Sequence, residues 1–212
     1  MPGIGWSQVA AVRYTEGRTH HDPGVIPSPL LTDSLMAIRE ILQYPDERLR
    51  RQAKPVEHID ERIRALVDDM CETMYDAPGI GLAATQIDVH ERVVVVDVSD
   101  AGNEPMVFIN PEIVQRSDTR DTAEEGCLSI TGYTDNVERV DAVTVRALGL
   151  DGETFEVEAE GMMARCLQHE IDHIDGRLFI DHLSELKRKR LRRRYEKAAR
   201  QRGDQSARTG SV

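Results

Sequence analysis

The chain has 212 residues, of which 31% are charged and 40% are hydrophobic, and its formal net charge is −11. This composition is typical of a globular protein with a core of its own and excludes fibrous and low-complexity chains. No apolar run approaches the length of a membrane span, and the N-terminus lacks the cationic and apolar segments of a signal peptide, so we expect a cytoplasmic protein.

The first part of the chain, residues 1–35, is rich in turn-forming residues and shows no regular apolar pattern. We expect it to be a disordered extension, in which His20 and His21 are solvated side chains rather than metal ligands. Regular patterning begins at Met36, and we expect the folded domain to begin there.

The first predicted helix follows Asp60, a favourable N-cap residue, and ends at Pro78-Gly79. Its apolar residues recur at helical spacing: Ile63, Leu66, Val67, Met70 and Met74. The next segment, GIGLAATQ at 79–86, has two glycines and two alanines, which permit the close approach of another backbone. It lacks the Lys-Ser/Thr ending of a phosphate-binding loop.

Strand-forming residues occupy the middle of the chain, and the predicted strands are 93–98, 106–109, 111–115, 140–148 and 154–159. A helix bounded by Gly161 and Gly176 follows, and a last helix runs from Leu183 to about Arg202. This order predicts an α+β fold. Antiparallel β-sheets pack around the central 161–176 helix, with an N-terminal helix and a basic C-terminal helix beside them.

The central helix carries an HExxH motif, His169-Glu170-Ile171-Asp172-His173. Histidines four residues apart lie on one face of a helix, so both imidazoles can reach one metal ion. Glu170 points to the side of the pair, where a carboxylate can hold a water and move its protons. A catalytic metal site of this kind needs a third protein ligand.

Several residues compete for the third ligand position. Proteases of the HExxHxxGxxH type are excluded because Phe179 stands where their third histidine would be. Glu185 or Glu196 would serve in a metallopeptidase, although both lie in a charge-rich segment. Cys166 is one turn before the first histidine, in an apolar run. Cys127 follows a glycine, and a thiolate with two imidazoles is an accepted ligand set that leaves one position open for water.

Three blocks in this order resemble the motifs of the peptide deformylase family: GIGLAATQ at 79–86, EGCLSI at 125–130 and QHEIDH at 168–173. The segment MAIREILQYPDERLRR at 36–51 also resembles the usual start of that family, and the resemblance covers roughly 36–190. It implies a hydrolase that removes the N-formyl group from formyl-methionine of nascent polypeptides and releases formate.

The resemblance also implies the metal site. Its ligands would be Cys127, His169 and His173, with Glu170 as general base and then general acid. One divalent metal per chain is expected, Fe²⁺ in the cell, with Zn²⁺, Ni²⁺ or Co²⁺ able to occupy the same ligands.

Further roles follow from the matching positions. Gln86 and the backbone N–H of Leu128 would donate hydrogen bonds to the formyl oxygen, and Gly81 would let the peptide backbone pair alongside it. The positions implied around the substrate are Ile80, Gly81, Leu128, Met162, Arg165 and Cys166. Thr131 departs from the family, because many members have proline there. This difference affects the expected rigidity of the loop and the peptide preference beyond methionine.

The C-terminal segment is strongly basic: residues 187–212 hold 11 of the 27 Lys and Arg residues but only two of the 38 acidic residues. The resemblance suggests that this segment meets ribosomal RNA phosphate. The expected division is an extension at 1–35, a catalytic domain at 36–186 and a basic helix and tail at 187–212. Neither a membrane nor DNA is expected as a partner.

Three alternative functions remain beside the deformylase. The first is a deformylase-like relative that acts on another formylated substrate. The second is a metallopeptidase with a glutamate ligand, which would leave Cys127 and Gln86 without a use. The third is a ribosome-binding factor without turnover, against which the intact Cys127, Glu170 and paired histidines argue.

Overall fold

The structure is a computed structural model that describes residues 13–14 and 37–209, with side chains described for 37–197. These residues form the helices α1 (Glu61–Asp76), α2 (Gly161–Ile174) and α3 (Glu185–Thr209). Short 3₁₀ helices occupy Glu47–Arg50, Ala84–Ile87 and Phe179–His182. The strands are β1 (Arg13–Tyr14), β2 (Gly81–Ala83), β3 (Val93–Val96), β4 (Met106–Arg116), β5 (Arg120–Glu125), β6 (Asp135–Val140), β7 (Ala142–Leu148) and β8 (Thr154–Glu160).

The strands form two antiparallel sheets. Six strands pair in the order β1-β8-β7-β4-β3-β2, and β5 pairs with β6 as a separate two-stranded hairpin. The predicted α+β class is therefore confirmed. None of the helices in the described ranges is long and apolar enough to cross a membrane.

The large sheet is covered by a helix on each face, and β3 shows how its sequence produces this arrangement. Successive strand residues point to opposite faces. Val94 and Val96 accordingly pack in the cluster that contains α2, while Val93 and Val95 pack in the cluster that contains α1. All four valines are fully buried. A continuous apolar run thus indicates a strand enclosed on both sides.

Helix α1 begins as predicted, because the side chain of Asp60 accepts a hydrogen bond from the Ile63 backbone N–H at 3.1 Å. The predicted apolar stripe is buried against the sheet. Along β7, Val143, Val145 and Ala147 are buried while Arg146 is exposed, so the two faces of this strand differ in exposure.

One prediction about strands was wrong, and one strand pair was missed. The segments 106–109 and 111–115 form the single strand β4, in which the register with β7 shifts between Ile109 and Glu112. Asn110 adopts a φ of 52° there and its side chain bonds the backbone of Val56, which produces the irregularity. The β5–β6 hairpin was not predicted, because most of β5 is exposed and lacks an apolar alternation.

Most of the predicted N-terminal extension lies outside the described residues, including His20 and His21. Arg13–Tyr14 is described as β1, which pairs with Val157 and Glu158 of β8. The C-terminal helix begins at Glu185 rather than at Leu183, after the 3₁₀ helix, and extends to Thr209.

Candidate metal centre

Helix α2 carries the two motif histidines through the middle of the protein. The chain leaves β8 and enters α2 at once, which is possible because Gly161 adopts a φ of +56°. Every residue from Met163 to Ile174 is buried. The ring centroids of His169 and His173 lie 5.1 Å apart on one face of the helix.

Cys127 approaches this pair from the hairpin. It lies on residues 126–134, which join β5 to β6 and are called the Cys127 loop below. Its Sγ is 3.1 Å from His173 Nε2, and the ligand atoms of Cys127, His169 and His173 all lie within 4.8 Å of one another. A thiolate and two imidazoles match the donor set of a catalytic metal site, so these residues fit the metal that the sequence implied.

The first histidine is oriented by a carboxylate that sequence reasoning did not assign. Glu125 Oε2 is 3.1 Å from His169 Nδ1, which leaves Nε2 of the same ring for a metal. Arg139 forms two hydrogen bonds with Glu125, at 2.6 and 3.0 Å. Burial opposes ionisation, but the hydrogen bonds from His169 and Arg139 prevail and lower the pKa of Glu125 to about 2.

Asp172 extends this network along α2. Its Oδ2 accepts hydrogen bonds from Arg139 Nη1 and lies next to His182 Nε2, both at 2.8 Å. Burial opposes ionisation here also, and His182 and Arg139 together hold the pKa of Asp172 well below its usual range. The sequence signal for this network was that Glu125 and Asp172 lie inside the blocks EGCLSI and QHEIDH.

Glu170 is buried beside the glycine-rich segment. A Cβ added at Gly81 would lie 2.6 Å from Glu170 Oε1 and 2.7 Å from Cys166 Sγ, so any other residue at this position would displace these side chains. Among the described residues, Glu170 Oε2 has no hydrogen-bond partner. Burial raises the pKa of this carboxyl to about 7.

Gln86 is the polar side chain that faces the cysteine from the opposite wall. Its Oε1 accepts a hydrogen bond from the Ala83 backbone N–H at 2.8 Å, which fixes the orientation of the amide. Its Nε2 therefore points to the Cys127 loop, 3.2 Å from Ser129 Oγ and 3.7 Å from Cys127 Sγ.

The predicted substrate residues surround these groups at different depths. Ile80 is 46% exposed, whereas Cys166 is buried, with its Sγ 3.5 Å from the Ile80 carbonyl oxygen. Met162 and Leu128 are half-buried. Arg165 is directed to the hairpin, where its Nη1 donates to Glu125 at 2.8 Å and to the Val137 carbonyl at 3.0 Å.

The other residues considered for the third ligand position do not place a ligand atom beside the two histidines. Phe179 stacks on His169 with a centroid separation of 5.9 Å, so it walls the site. Glu185 is exposed and pairs with Lys189, and Glu196 is also exposed on α3. Cys166 faces Ile80, as described above. The three ligand atoms that the structure brings together come from Cys127 and the two histidines.

Comparison with known proteins agrees with this geometry. Residues 38–189 match the family described as polypeptide deformylase. The chain belongs to the polypeptide deformylase family.

Curated deformylases share more than half of their aligned residues with this chain. A peptide deformylase of Alkalilimnicola ehrlichii is 59% identical over 167 residues, which cover 78% of this chain and 93% of the relative. Peptide deformylase 1 of Burkholderia multivorans is 58% identical over 165 residues, covering 78% of this chain and 91% of the relative.

Solved structures show the same fold. A peptide deformylase from Legionella pneumophila is 51% identical, with a TM-score of 0.73 over 79% of this chain and 98% of that one. The enzyme from Ehrlichia chaffeensis in complex with actinonin is 40% identical, with a TM-score of 0.74 over 77% and 98% of the two chains. The chain is accordingly a hydrolase that removes the N-formyl group from nascent polypeptides, and the other functions weighed above are not favoured.

Proposed function

We propose that this deformylase holds one divalent metal ion through Cys127, His169 and His173 and that Glu170 is its general base and acid. The observation that carries the proposal is the convergence of the three ligand atoms within 4.8 Å, beside a buried carboxylate. When bound, the metal supplies Lewis-acid chemistry, polarising the formyl carbonyl and lowering the pKa of a water.

The protein's own groups then carry the proton transfers. Glu170 takes a proton from the water that attacks the formyl carbon. Because burial raises the pKa of this carboxyl to about 7, it can hold and release a proton near neutral pH. The C–N bond breaks, Glu170 returns the proton to the departing nitrogen, and the products are formate and a free N-terminal amine. Atoms and charge balance without a further reactant.

The oxyanion needs fixed donors. Gln86 Nε2 and the Leu128 backbone N–H are proposed to donate to the formyl oxygen as negative charge develops on it. The bond from Ala83 to Gln86 Oε1 supports this role, because it holds the amide nitrogen toward the cysteine.

The peptide is proposed to lie along Gly81, where the absence of a side chain lets the Glu170 carboxylate lie close to the backbone. The methionine side chain would contact a wall made by Ile80, Leu128, Met162 and Cys166. Arg165 would act on this wall indirectly, since its guanidinium group holds Glu125 and the hairpin.

We further propose Fe²⁺ as the metal in the cell, with Zn²⁺, Ni²⁺ or Co²⁺ as substitutes, because a thiolate with two imidazoles suits all of these ions. The test is deformylation of a formyl-Met-Ala-Ser peptide by protein prepared anaerobically with Fe²⁺, with the metal content of the same sample measured. About one metal per chain with turnover supports both proposals. Turnover that requires a different metal would contradict the choice of iron.

Replacement of Glu170 by alanine tests its role. We expect turnover to fall by about 10²–10⁴-fold while metal content stays near one per chain, because general acid–base catalysis contributes that much. Loss of the metal together with the activity would instead assign Glu170 to the ligand shell.

A cytoplasmic location at the ribosome is also proposed. Exposed basic residues of α3 such as Arg193 and Lys197 support it, because they can meet RNA phosphate. Reversing the charge at Arg193 and Lys197 should weaken binding to purified ribosomes, with Arg120→Glu, on the hairpin, as the control. Equal binding by all three proteins would remove this proposal.

A further inference from the structure

The first turns of α3 are attached to the Cys127 loop and to the strand that follows it. Lys187 Nζ pairs with Asp135 Oδ1 at 2.7 Å, Leu191 is 3% exposed, and the Tyr195 hydroxyl donates to the Thr131 carbonyl oxygen at 2.7 Å. These residues are four apart and so lie along one face of the helix. This face of α3 therefore packs against the β5–β6 hairpin.

Tyr195 meets the loop together with a second tyrosine. The two rings of Tyr195 and Tyr44 pack edge to face, with centroids 5.5 Å apart and an interplanar angle of 80°. The Tyr44 backbone N–H donates to the Ser129 carbonyl oxygen at 2.8 Å. Alternate carbonyl groups of the loop, at Ser129 and Thr131, are therefore held by this aromatic pair.

Gln43 holds the same stretch from the other side. Its Nε2 donates to the Leu128 carbonyl oxygen at 2.9 Å, and its Oε1 accepts from the Thr131 hydroxyl at 2.8 Å. The stretch from Leu128 to Thr131 lies outside the strands and is not held by the hydrogen bonds of a β-sheet. The hydrogen bonds described above hold it, together with the fully buried Ile130 side chain and the contact between Gln86 and Ser129, and the Tyr195 hydroxyl supplies a bond that comes from α3.

We infer that Tyr195 is a positioning residue for deformylation. Its hydroxyl acts through Thr131 and Gln43 and fixes the Leu128 backbone N–H toward the formyl oxygen. The inference rests on the proposed function, because it takes the oxyanion role of Leu128 as given. An oxyanion donor that is displaced weakens only the transition state, so the effect belongs in kcat and not in KM.

The direct test is Tyr195→Phe, which removes the hydroxyl and keeps the ring. We expect kcat per bound metal to fall about three- to tenfold, with KM within about twofold of the parent, which corresponds to one hydrogen bond of ordinary net strength. The matched control is Tyr133→Phe. It removes a hydroxyl bond of the same length, 2.7 Å, from the same loop, but its acceptor is the Asp135 side chain.

A double-mutant cycle separates positioning from a loss of general stability. Thr131→Val removes the hydroxyl bond to Gln43, and Tyr195→Phe in that background should cost less than in the parent, since both act on the same stretch. Full additivity, an unchanged kcat in Tyr195→Phe, or an equal loss in Tyr133→Phe would overturn the inference.

Hydrogen exchange of the backbone amides at 128–131 provides a readout that does not depend on turnover. Tyr195→Phe should exchange faster there than both the parent and Tyr133→Phe, and equal rates would overturn the inference. A parent chain with metal but without deformylation would defeat the proposed function instead, and the exchange rates would still decide whether Tyr195 holds the loop.

Discussion

Gly81 is fixed as glycine by the space that the Glu170 carboxylate occupies. An added methyl group would lie 2.6 Å from Glu170 Oε1, closer than packed atoms approach, so the carboxylate must move. We expect Gly81→Ala to reduce kcat/KM at least about tenfold, because a misplacement of this size costs up to 10²-fold. Steady-state kinetics on the formylated peptide measure it.

The control for that change is Gly126→Ala, where the added methyl group would meet only the Thr134 methyl group, at 3.3 Å. A small side-chain shift relieves this contact, so activity should stay within a few-fold of the parent. Equal losses in the two variants would mean that glycine replacements near the loop act through general strain.

Gln86 is the second residue with a sharp expectation. Gln86→Leu keeps the volume of the side chain and removes both the donor at Nε2 and the acceptor for Ala83. The loss of one oxyanion donor typically costs about 10²–10³ in rate. We therefore expect kcat to fall by this factor at unchanged metal content, and a variant that keeps more than about a tenth of the turnover would rule out the role.

The two histidines of the proposed metal site were predictable, because helical spacing fixes the relation of His169 to His173 locally. Cys127 needed the family resemblance, since nothing in its own segment says that the hairpin returns to α2. Glu125 and Arg139 show what sequence alone could not supply. These two residues are 14 positions apart in sequence and meet only when β5 pairs with β6. Because most of β5 is exposed, its sequence shows no apolar alternation that would predict this pairing.

At the scale of elements, the hairpin is attached to α2 by charged groups. Arg139, whose side chain is 4% exposed, bridges Glu125 of β5 and Asp172 of α2. Burial of Val137 adds an apolar contact. Hydrogen-bonded ions need defined directions, so this attachment sets the position of the Cys127 loop relative to the histidines.

Removal of Arg139 should therefore be costly. Arg139→Leu leaves buried carboxylates with fewer partners, and we expect the free energy of unfolding to fall by about 3–5 kcal/mol. Arg146→Leu is the control, because the Arg146–Glu156 pair is 2.8 Å long but its arginine is 51% exposed, and such pairs contribute about 0–1 kcal/mol. Urea unfolding of both variants measures the difference, and similar losses would contradict the importance of burial.

At the scale of the whole molecule, the proposed metal joins the hairpin to the central helix. Cys127 is 42 residues from His169 and 46 residues from His173 in sequence. A bound ion would therefore act as a cross-link between separate parts of the fold. An ion that binds only the native state stabilises it by mass action. We expect a chelator to lower the thermal unfolding midpoint by several degrees.

The control for metal removal is His173→Ala, which lacks one ligand from the outset. Its unfolding midpoint should lie near that of the chelated parent and should not respond to the chelator. An equal response in both proteins would show that the chelator acts elsewhere.

The enclosed sheet also has a consequence for how the chain is made. Synthesis proceeds from the N-terminus, and α2 follows every strand of the large sheet. Until residues 161–174 exist, the face formed by Val94, Phe108, Val145 and Val157 has no helix to cover it. A nascent chain at that stage presents an apolar surface that attracts chaperones and other unfinished chains, so chains that terminate before α2 should be recovered mainly as aggregates.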